Sequence, residues 1–336
     1  MTWEYRPAVR EKIGALFSVS GPSGSGKTYT ALLLAKGMAN GTGQIAVIDT
    51  EAGRALHYAP RPGEKADPLK GTFDFFHVDF TPPFTPERYV EATRFAEEKG
   101  ATVMVIDSTS HEWAGEGGLS DIAALEAERM ARVAAEKNGG SWEAQIERMT
   151  APSWKKPKIR HKRMISKLLQ SRAHLIFCLR AEEKIKIVGG KVTPIGFQAI
   201  CEKAFPFEMT GSFMLHPDRP GCPDYQLPHK LNDSLQSIFP DGRRVDIEAG
   251  KRLREWAETG VDRRAVDRVE TGAAAMIERI EDAESHAALI AVTRDPNVIK
   301  QREYLRQHRP DLADRVDEVV EASLAVYPAP DEAVAE

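Results

Sequence analysis

The sequence predicts an α/β protein with a mostly parallel central sheet, a β-hairpin extension and a helical C-terminal appendage. Three observations predict this fold class. In the first half of the chain, short apolar runs alternate with segments of helical periodicity, a pattern typical of a doubly wound sheet. Further along, a Gly-Gly pair flanked by alternating residues indicates a hairpin, and the last part of the chain shows helical periodicity.

The predicted strands are short apolar runs that end in polar residues or turns, as buried parallel strands do. They comprise residues 15–20, 45–48, 73–78, 102–106, 174–179, 208–215 and 225–227. The predicted helices carry apolar residues at helical spacing, and Pro or Gly bounds several of them. They comprise residues 28–38, 86–99, 119–137, 160–172, 252–258, 261–280 and 311–327. Residues 184–188 and 191–194 flank Gly189 and Gly190 and form the predicted hairpin.

Length and composition favour one main core with appendages. The chain has 336 residues, of which 42% are apolar and 29% charged, and this is enough to bury a sizeable core. We expect an N-terminal extension at 1–12, a core at 13–247, a helical region at 248–327 and an acidic tail at 328–336. The net charge of −4 gives no general attraction to nucleic acid, so any such contact requires a local basic patch.

The cysteines and the N-terminal residues favour a cytoplasmic protein. Cys178, Cys201 and Cys222 show no CxxC spacing and no histidine partners at zinc-finger distances, so we expect reduced thiols. Residues 1–12 contain no apolar signal-peptide core, and no apolar run is long enough to span a bilayer. No membrane partner is therefore expected.

Residues 21–28 match the pattern G-x-x-x-x-G-K-[ST] and join a predicted strand to a predicted helix. The residues expected to bind a nucleotide are Gly21, Pro22, Ser23, Gly24, Ser25, Gly26, Lys27 and Thr28. Glycines in such a loop let successive backbone N–H groups turn toward the β-phosphate at a helix N-terminus. Lys27 is expected to reach the β- and γ-phosphates and Thr28 to ligate magnesium, so ATP and Mg²⁺ are the predicted cofactors.

The second half of this site is predicted at the end of strand 102–106. There Asp107 follows an apolar run and is expected to hold magnesium beside the phosphate loop. The next residue is Ser108 rather than a glutamate, so the group that positions the attacking water must lie elsewhere. Glu51 ends the strand that follows the phosphate-loop helix, and a parallel sheet brings such a carboxylate near the γ-phosphate.

This layout resembles that of the RecA-like ATPases. The matching segments are residues 21–28, 47–51, 105–108 and 175–177. The resemblance implies a RecA-like P-loop core in which Lys27 and Glu51 act in ATP hydrolysis. In the family the last of these strands ends in an amide that senses the γ-phosphate, whereas the corresponding position here is Arg180. A guanidinium at this position would stabilise transition-state charge or respond to the nucleotide in another way.

The resemblance extends to phage-encoded RecA-like ATPases of the single-strand annealing and recombination type. It is carried by residues 49–54, 107–108, 154–163 and 179–184, within a region of roughly 13–227. It implies an ATPase that acts on single-stranded DNA in recombination, annealing or replication, in the cytoplasm of a bacterial host. It also implies a homo-oligomer. The resemblance does not cover the helical C-terminal region, which in a nucleotide-switched loader would recruit a single-strand-binding or recombination partner.

Residues 154–172 form a basic stretch that contains no carboxylate, in a chain of net negative charge. The residues predicted to contact nucleic acid are Trp154, Lys155, Lys156, Lys158, Arg160, Lys162 and Arg163. The cations would bind the phosphate backbone and Trp154 would stack on a base, a combination that holds single strands. A solvated helix face is the alternative interpretation of such a charge run.

Two other functions are compatible with the phosphate loop. A small-molecule kinase would use the same loop but needs an acceptor pocket and an arginine-rich lid, and no segment between residues 117 and 154 clearly supplies that lid. A nucleotide-switched binding module or loader would use ATP chiefly to change conformation. Annealing, strand exchange and loading differ in assembly and partners rather than in the ATP site, so all three stay open.

Overall fold

The computed structural model describes residues 8–10, 12, 14–39, 44–188, 191–261 and 263–327. Contacts within the chain define two compact units. The larger unit is Ile13–Thr259, and the smaller unit combines Met1–Lys12 with Gly260–Glu336. Each unit has a buried apolar core of its own.

The described residues of the larger unit form a seven-stranded sheet. The strands are β1 (Leu16–Gly21), β2 (Gln44–Asp49), β3 (Phe76–Asp79), β4 (Ala101–Asp107), β5 (His174–Val188), β6 (Lys191–Ala199) and β7 (Gly211–Met214). Their order is β3-β2-β4-β5-β1-β7, and all of these neighbours are parallel. The exception is β6, which pairs antiparallel with the second half of β5 as the predicted hairpin. In this order β5 separates β1 from β4.

Helices α1 to α9 belong to the larger unit with the sheet, and α10 to α13 belong to the smaller unit. The helices are α1 (Lys27–Ala39), α2 (Pro86–Glu98), α3 (Ser110–Ala114), α4 (Leu119–Asn138), α5 (Glu143–Ser153), α6 (Lys155–Leu168), α7 (Phe205–Glu208), α8 (Asp233–Ile238), α9 (Ile247–Glu258), α10 (Arg263–Glu281), α11 (His286–Thr293), α12 (Pro296–His308) and α13 (Pro310–Val326). Short 3₁₀ turns lie at Arg54–Tyr58 and Pro68–Lys70. Side chains of Asn232, Asp246 and Ser285 cap the first turns of α8, α9 and α11.

Both faces of the sheet are buried, as is usual for parallel strands. In β1, Phe17 belongs to a core shared with α1 and α9, whereas the adjacent Leu16 belongs to a core shared with α2 and α6. Successive side chains of a strand point to opposite faces, so one strand serves both cores. The apolar layers fix the strand register, and this register brings the carboxyl ends of β1, β2 and β4 to the same edge, beside residues 178–180 in the middle of β5.

Helices α1 and α9 approach each other through glycines. A Cβ atom added to Gly250 would lie 2.4 Å from the carbonyl oxygen of Leu34, and one added to Gly37 would lie 2.1 Å from the carbonyl oxygen of Ile247. Both contacts are to backbone, which cannot move aside as a side chain can. Glycine at these positions therefore sets the distance between the two helices.

The described helices of the smaller unit, α10 to α13, enclose their own apolar core. Met276, Ile280, Leu289 and Val316 are among its fully or almost fully buried members. Arg306 and Arg302 both pair with Asp317, which links α12 to α13. These helices lie within the helical region expected at 248–327, whereas α9, which that expectation included, belongs to the larger unit.

The predicted fold class is confirmed, since the sheet is mostly parallel, β5 and β6 form a hairpin and the C-terminal region is helical. The predicted strand at 225–227 is wrong. Those residues form a turn, because Leu227 donates to the carbonyl of Asp224 and Tyr225 bonds to the Asp241 carboxylate. Helices α3, α5, α7, α8, α11 and α12 were not predicted, and α6 begins at Lys155 rather than at residue 160.

Two predicted features, the Gly189-Gly190 turn and the acidic tail at 328–336, lie outside the described residues. Within the described residues, no helix has both the length and the apolar character needed to cross a membrane.

Candidate functional site

The predicted phosphate loop connects the end of β1 to the start of α1. Its backbone turns through Gly24 and Gly26, whose φ angles of 80° and 85° lie in the left-handed region that favours glycine. The Ser25 hydroxyl donates to the carbonyl of Pro22 over 2.8 Å, and the Lys27 ammonium donates to the same carbonyl over 2.8 Å. The loop is therefore closed by its own side chains, and Lys27 lies across it.

A neighbouring turn supports the loop from outside. The backbone N–H of Gly221 donates to the carbonyl of Ser25 over 3.0 Å. A Cβ atom added to Gly26 would lie 3.2 Å from the nitrogen of Gly221, so the two backbones are in close contact. The sequence analysis missed this support, because nothing in the local sequence around Gly221 indicates which segment it contacts.

Thr28 and Asp107 meet at the N-terminus of α1. The Thr28 hydroxyl donates to Oδ2 of Asp107 over 2.5 Å. The two residues follow different strands: Thr28 comes after β1 and Asp107 ends β4, and β5 lies between these strands in the sheet. The Asp107 side chain is buried, and burial raises the pKa of its carboxyl to about 6 while the hydrogen bond from Thr28 opposes that rise. A hydroxyl and a carboxylate on adjacent elements form a donor set suited to a hard divalent cation.

This donor set fits magnesium held jointly with phosphate oxygens. Among the described residues, no group of three or more His, Cys, Asp or Glu side chains could hold a metal ion alone. Mg²⁺ usually keeps several waters and takes only one or two protein carboxylates together with substrate phosphates. Thr28 and Asp107 would therefore supply the protein ligands of such an ion.

Lys27 is a half-buried cation of the site. Burial lowers the pKa of its ammonium, and the nearby carboxylates of Asp107 and Glu51 act in the opposite direction. A desolvated ammonium beside an anion-binding loop interacts more strongly with phosphate than an exposed one does. The predicted phosphate contact of Lys27 is thus consistent with its surroundings.

Glu51 and Arg180, both predicted to act in catalysis, are bonded to each other. Nε of Arg180 donates to Oε1 of Glu51 over 2.8 Å, and Nη2 donates to Oε2 over 2.5 Å. The Glu51 side chain is 11% exposed and the Arg180 side chain 44% exposed. Arg54 adds a longer contact to the same carboxylate, at 3.4 Å. The sequence analysis placed both residues near the γ-phosphate but did not predict this pair.

Asp49 fixes the backbone that carries Glu51. Its carboxylate is fully buried and accepts hydrogen bonds from the backbone N–H groups of Glu51, over 2.7 Å, and Ala55, over 3.0 Å. The Nε2 of His77, on the adjacent β3, lies 3.1 Å from the same carboxylate. Asp49 therefore organises the turn after β2, a role that its position in the sequence did not predict.

Thr50 and Ser108 connect the ends of β2 and β4. The backbone N–H of Ser108 donates to the Thr50 hydroxyl over 2.7 Å, and the hydroxyl of Tyr89 donates to the Ser108 carbonyl over 3.2 Å. The peptide bond between Asp107 and Ser108 is cis. The Nδ1 of His111 lies 2.7 Å from the Thr50 hydroxyl, and burial, followed by the Arg180 charge, lowers the pKa of this imidazole. These contacts hold Asp107 and Glu51 in fixed relative positions.

The loop, the carboxylates and Arg180 line a single cavity of about 610 Å³. Its lining residues are Ser23, Gly24, Gly26, Lys27, Thr28, Glu51, Arg54, Tyr58, Asp107, Arg180, Ala181 and Ile200. A cavity of this size is sufficient for a ligand as large as a nucleotide. Tyr58, which the sequence analysis missed, is the aromatic side chain of the lining and packs beside Tyr29, with ring centroids 6.1 Å apart.

The predicted nucleic-acid residues lie on and before α6, and the structure divides their cations into two groups. Lys156 pairs with Glu126 over 2.8 Å, Lys158 lies 3.7 Å from Glu202, and Arg160 forms two bonds to Glu87. The sequence analysis found no carboxylate within this stretch, but other elements supply these partners. Lys155, Lys162 and Arg163 are exposed and make no ion pair with any described residue.

Trp154 stacks on Trp113 of α3, with ring centroids 4.8 Å apart and an interplanar angle of 19°. A second contact joins α6 to α3: Nδ1 of His161 lies 3.1 Å from Oε1 of Glu112, and both side chains are buried. Burial raises the pKa of the Glu112 carboxyl. The helix that follows Asp107 is therefore tied to the basic helix at two points.

No protein-family model matches the sequence, and no curated protein matches it significantly. Solved structures with a similar fold include that of the RadB recombinase. It is 18% identical to this chain, the match covers 71% of this chain and 90% of that one, and the TM-score is 0.33. Because the TM-score is low, we base no functional inference on this likeness.

Proposed function

We propose that this protein is a RecA-like ATPase that binds and hydrolyses Mg-ATP. The observation that carries the proposal is the hydrogen bond between Thr28, at the end of the phosphate loop, and Asp107, at the end of β4, in a cavity that Glu51 also lines. Residues 21–28 bind the phosphates and Lys27 contacts the β- and γ-phosphates. Tyr58 offers an aromatic face for the adenine ring of ATP.

Thr28 and Asp107 would hold magnesium, which would supply positive charge to neutralise the charge that develops on the phosphates. Glu51 orients a water molecule and accepts its proton as the water oxygen forms a bond to the γ-phosphorus. The bond from that phosphorus to the β–γ bridging oxygen breaks, which leaves ADP and inorganic phosphate. Arg180, on the same cavity, stabilises the charge of the transferring group.

We further propose that hydrolysis is coupled to single-stranded DNA in phage-type recombination, annealing or replication. The exposed, unpaired cations of α6 supply a surface for a phosphate backbone. The Trp113–Trp154 stack and the Glu112–His161 pair connect that helix to the segment that follows Asp107. A homo-oligomer, a cytoplasmic location and a recombination partner at the C-terminal helices belong to the same proposal and rest on the sequence analysis.

The test is ATP hydrolysis with and without single-stranded DNA, in the parent, Lys27→Ala and Glu51→Gln. Removal of the phosphate-binding cation should lower turnover by on the order of 100-fold or more. Glu51→Gln removes the catalytic base and should lower turnover by about 100- to 10,000-fold while ATP still binds. DNA should stimulate the parent only.

Lys70→Ala and Glu98→Gln are the matched controls, because both side chains are exposed and outside the cavity, and both should hydrolyse ATP as the parent does. Turnover that survives Lys27→Ala would contradict the assigned site. Tight ATP binding without turnover in the parent would favour the nucleotide-switched module, and phosphorylation of an added acceptor without DNA stimulation would favour a kinase.

A further inference from the structure

The carboxylate that we propose as the base is occupied in this structure. Each oxygen of Glu51 accepts a hydrogen bond from the guanidinium of Arg180, over 2.8 and 2.5 Å. Bidentate arginine–carboxylate pairs are among the stronger polar contacts in proteins. A base needs a free oxygen directed at its water molecule, so Glu51 in this arrangement is poorly placed to act.

The two partners differ in how easily each can leave the pair. Glu51 is 11% exposed, and its backbone N–H is held by the buried Asp49 carboxylate. The Arg180 side chain is 44% exposed, on a long and flexible stem. A change in this pair therefore moves the guanidinium rather than the carboxylate.

Arg180 is also close to the place where phosphates bind. The register of β5 with β1 puts Arg180 directly beside Gly21, the first residue of the phosphate loop. The cavity that Arg180 lines is also lined by Gly24 and Lys27. A terminal phosphate carries more negative charge than a carboxylate and offers more acceptor oxygens, so it competes effectively for a guanidinium.

We propose that Arg180 locks Glu51 in the nucleotide-free protein and that the γ-phosphate of ATP opens the lock by taking the guanidinium. ATP thereby releases its own base, whereas ADP, which lacks the γ-phosphate, leaves the pair closed. This inference rests on the ATPase function proposed above and adds the regulation of the same site. Arg180 is then a positioning residue for Glu51 before ATP binds and a contact of the γ-phosphate once ATP is bound.

A double-mutant cycle on nucleotide affinity tests the lock without measuring turnover. The proteins are the parent, Glu51→Gln, Arg180→Gln and the double variant, and the probes are Mg²⁺ with the β,γ-imido analogue of ATP or with ADP. Glutamine weakens the pair, so Glu51→Gln should bind the ATP analogue about three- to tenfold more tightly while Arg180 is present. With Arg180→Gln in place, the same change should have less than about a twofold effect. ADP affinity should change little in either case.

Arg54→Gln replaces Arg180→Gln in the matched control cycle, because Arg54 contacts the same carboxylate only once, at 3.4 Å, and is 77% exposed. There the effect of Glu51→Gln should persist. Suppose that Glu51→Gln raises affinity for the ATP analogue equally with and without Arg180. The gain would then come from removal of a negative charge, which would overturn the lock but not the proposed ATP site. A parent that binds neither nucleotide would overturn the proposed function, and the lock with it.

Discussion

The side chain of Asp107 is an ionisable carboxyl group that is buried in the folded protein. Burial raises the pKa of its carboxyl to about 6 in the folded protein, from an ordinary value of 3.8. The folded state therefore binds the proton more tightly than the unfolded chain does. By linkage, the favourable contribution of protonated Asp107 is complete below pH 3.8 and is lost as the pH rises to about 6. At neutral pH the charge destabilises the nucleotide-free fold, and a bound cation would offset this.

We expect Asp107→Asn to increase the free energy of unfolding of the nucleotide-free protein by roughly 1–3 kcal/mol at neutral pH, because it removes a desolvated charge and keeps an acceptor for Thr28. The same variant should lose magnesium-dependent ATP binding. Urea denaturation at pH 7.5 and at pH 4 measures the first effect, which should shrink at the lower pH.

Asp79→Asn is the control for this prediction, since Asp79 is exposed and ends β3, which β2 separates from β4. It should change the free energy of unfolding little at either pH. If Asp107→Asn is less stable than the parent at pH 7.5, the carboxylate stabilises the apo fold and the pKa argument fails.

At the scale of an element, the cations of α6 form two sets: one set has ion-pair partners among the described residues and the other does not. Lys155, Lys162 and Arg163 are exposed without an ion pair to any described residue, whereas Lys156 and Arg160 are matched by glutamates of other helices. A matched cation releases fewer counterions when it meets a phosphate backbone. The unpaired group is therefore the stronger part of the proposed interface.

We expect replacement of Lys155, Lys162 and Arg163 together by Gln to lower affinity for single-stranded DNA by about tenfold or more near 0.1 M salt, and to reduce the slope of log affinity against log salt by about 2. Fluorescence anisotropy with an oligonucleotide at several salt concentrations measures both. The paired set, Lys156, Lys158 and Arg160 replaced by Gln, should show a smaller change. Equal effects of the two triple variants, or none, would contradict this division.

The contact between α1 and α9 is set by glycine. We expect Gly250→Ala to destabilise the protein by about 2–4 kcal/mol, because the new Cβ atom would lie 2.4 Å from the Leu34 carbonyl oxygen. Since α1 begins at Lys27, nucleotide affinity should fall with stability. Gly272→Ala in α10 is the matched control: its Cβ atom meets nothing within 4 Å, so alanine should be neutral or stabilising by about 0.5–1 kcal/mol. Thermal and urea unfolding of both variants decide the matter.

At the scale of the whole molecule, the nucleotide cavity belongs to one unit. All of its lining residues lie within Ile13–Thr259, and that unit has buried cores on both faces of its sheet. We expect a chain of residues 13–259 to fold and to bind Mg-ATP within about threefold of the full-length affinity, because this unit supplies every residue that lines the cavity. Calorimetric titration of both chains, with Lys27→Ala in each as the non-binding reference, measures this. A shortened chain that folds but does not bind would show that the smaller unit contributes to the site.

The sequence by itself determined the elements that local chemistry specifies. The phosphate loop follows from glycine positions and from a lysine and a threonine at fixed spacing, and the parallel sheet follows from alternating apolar runs and helices. Asp107 and Glu51 were predicted because strand ends in a parallel sheet share one edge, and this edge does carry both residues.

Only the tertiary structure decided which side chains meet. The Arg180–Glu51 pair, the buried Asp49 acceptor, Tyr58 in the cavity and the glutamates opposite α6 all join residues that are distant in sequence or separated by a turn whose path the sequence leaves open. Local propensity and periodicity describe a segment and its buried face, but they contain no information about the side chains of the segment that packs against it. Those contacts are fixed when the two faces of the sheet are buried and the strand register becomes unique.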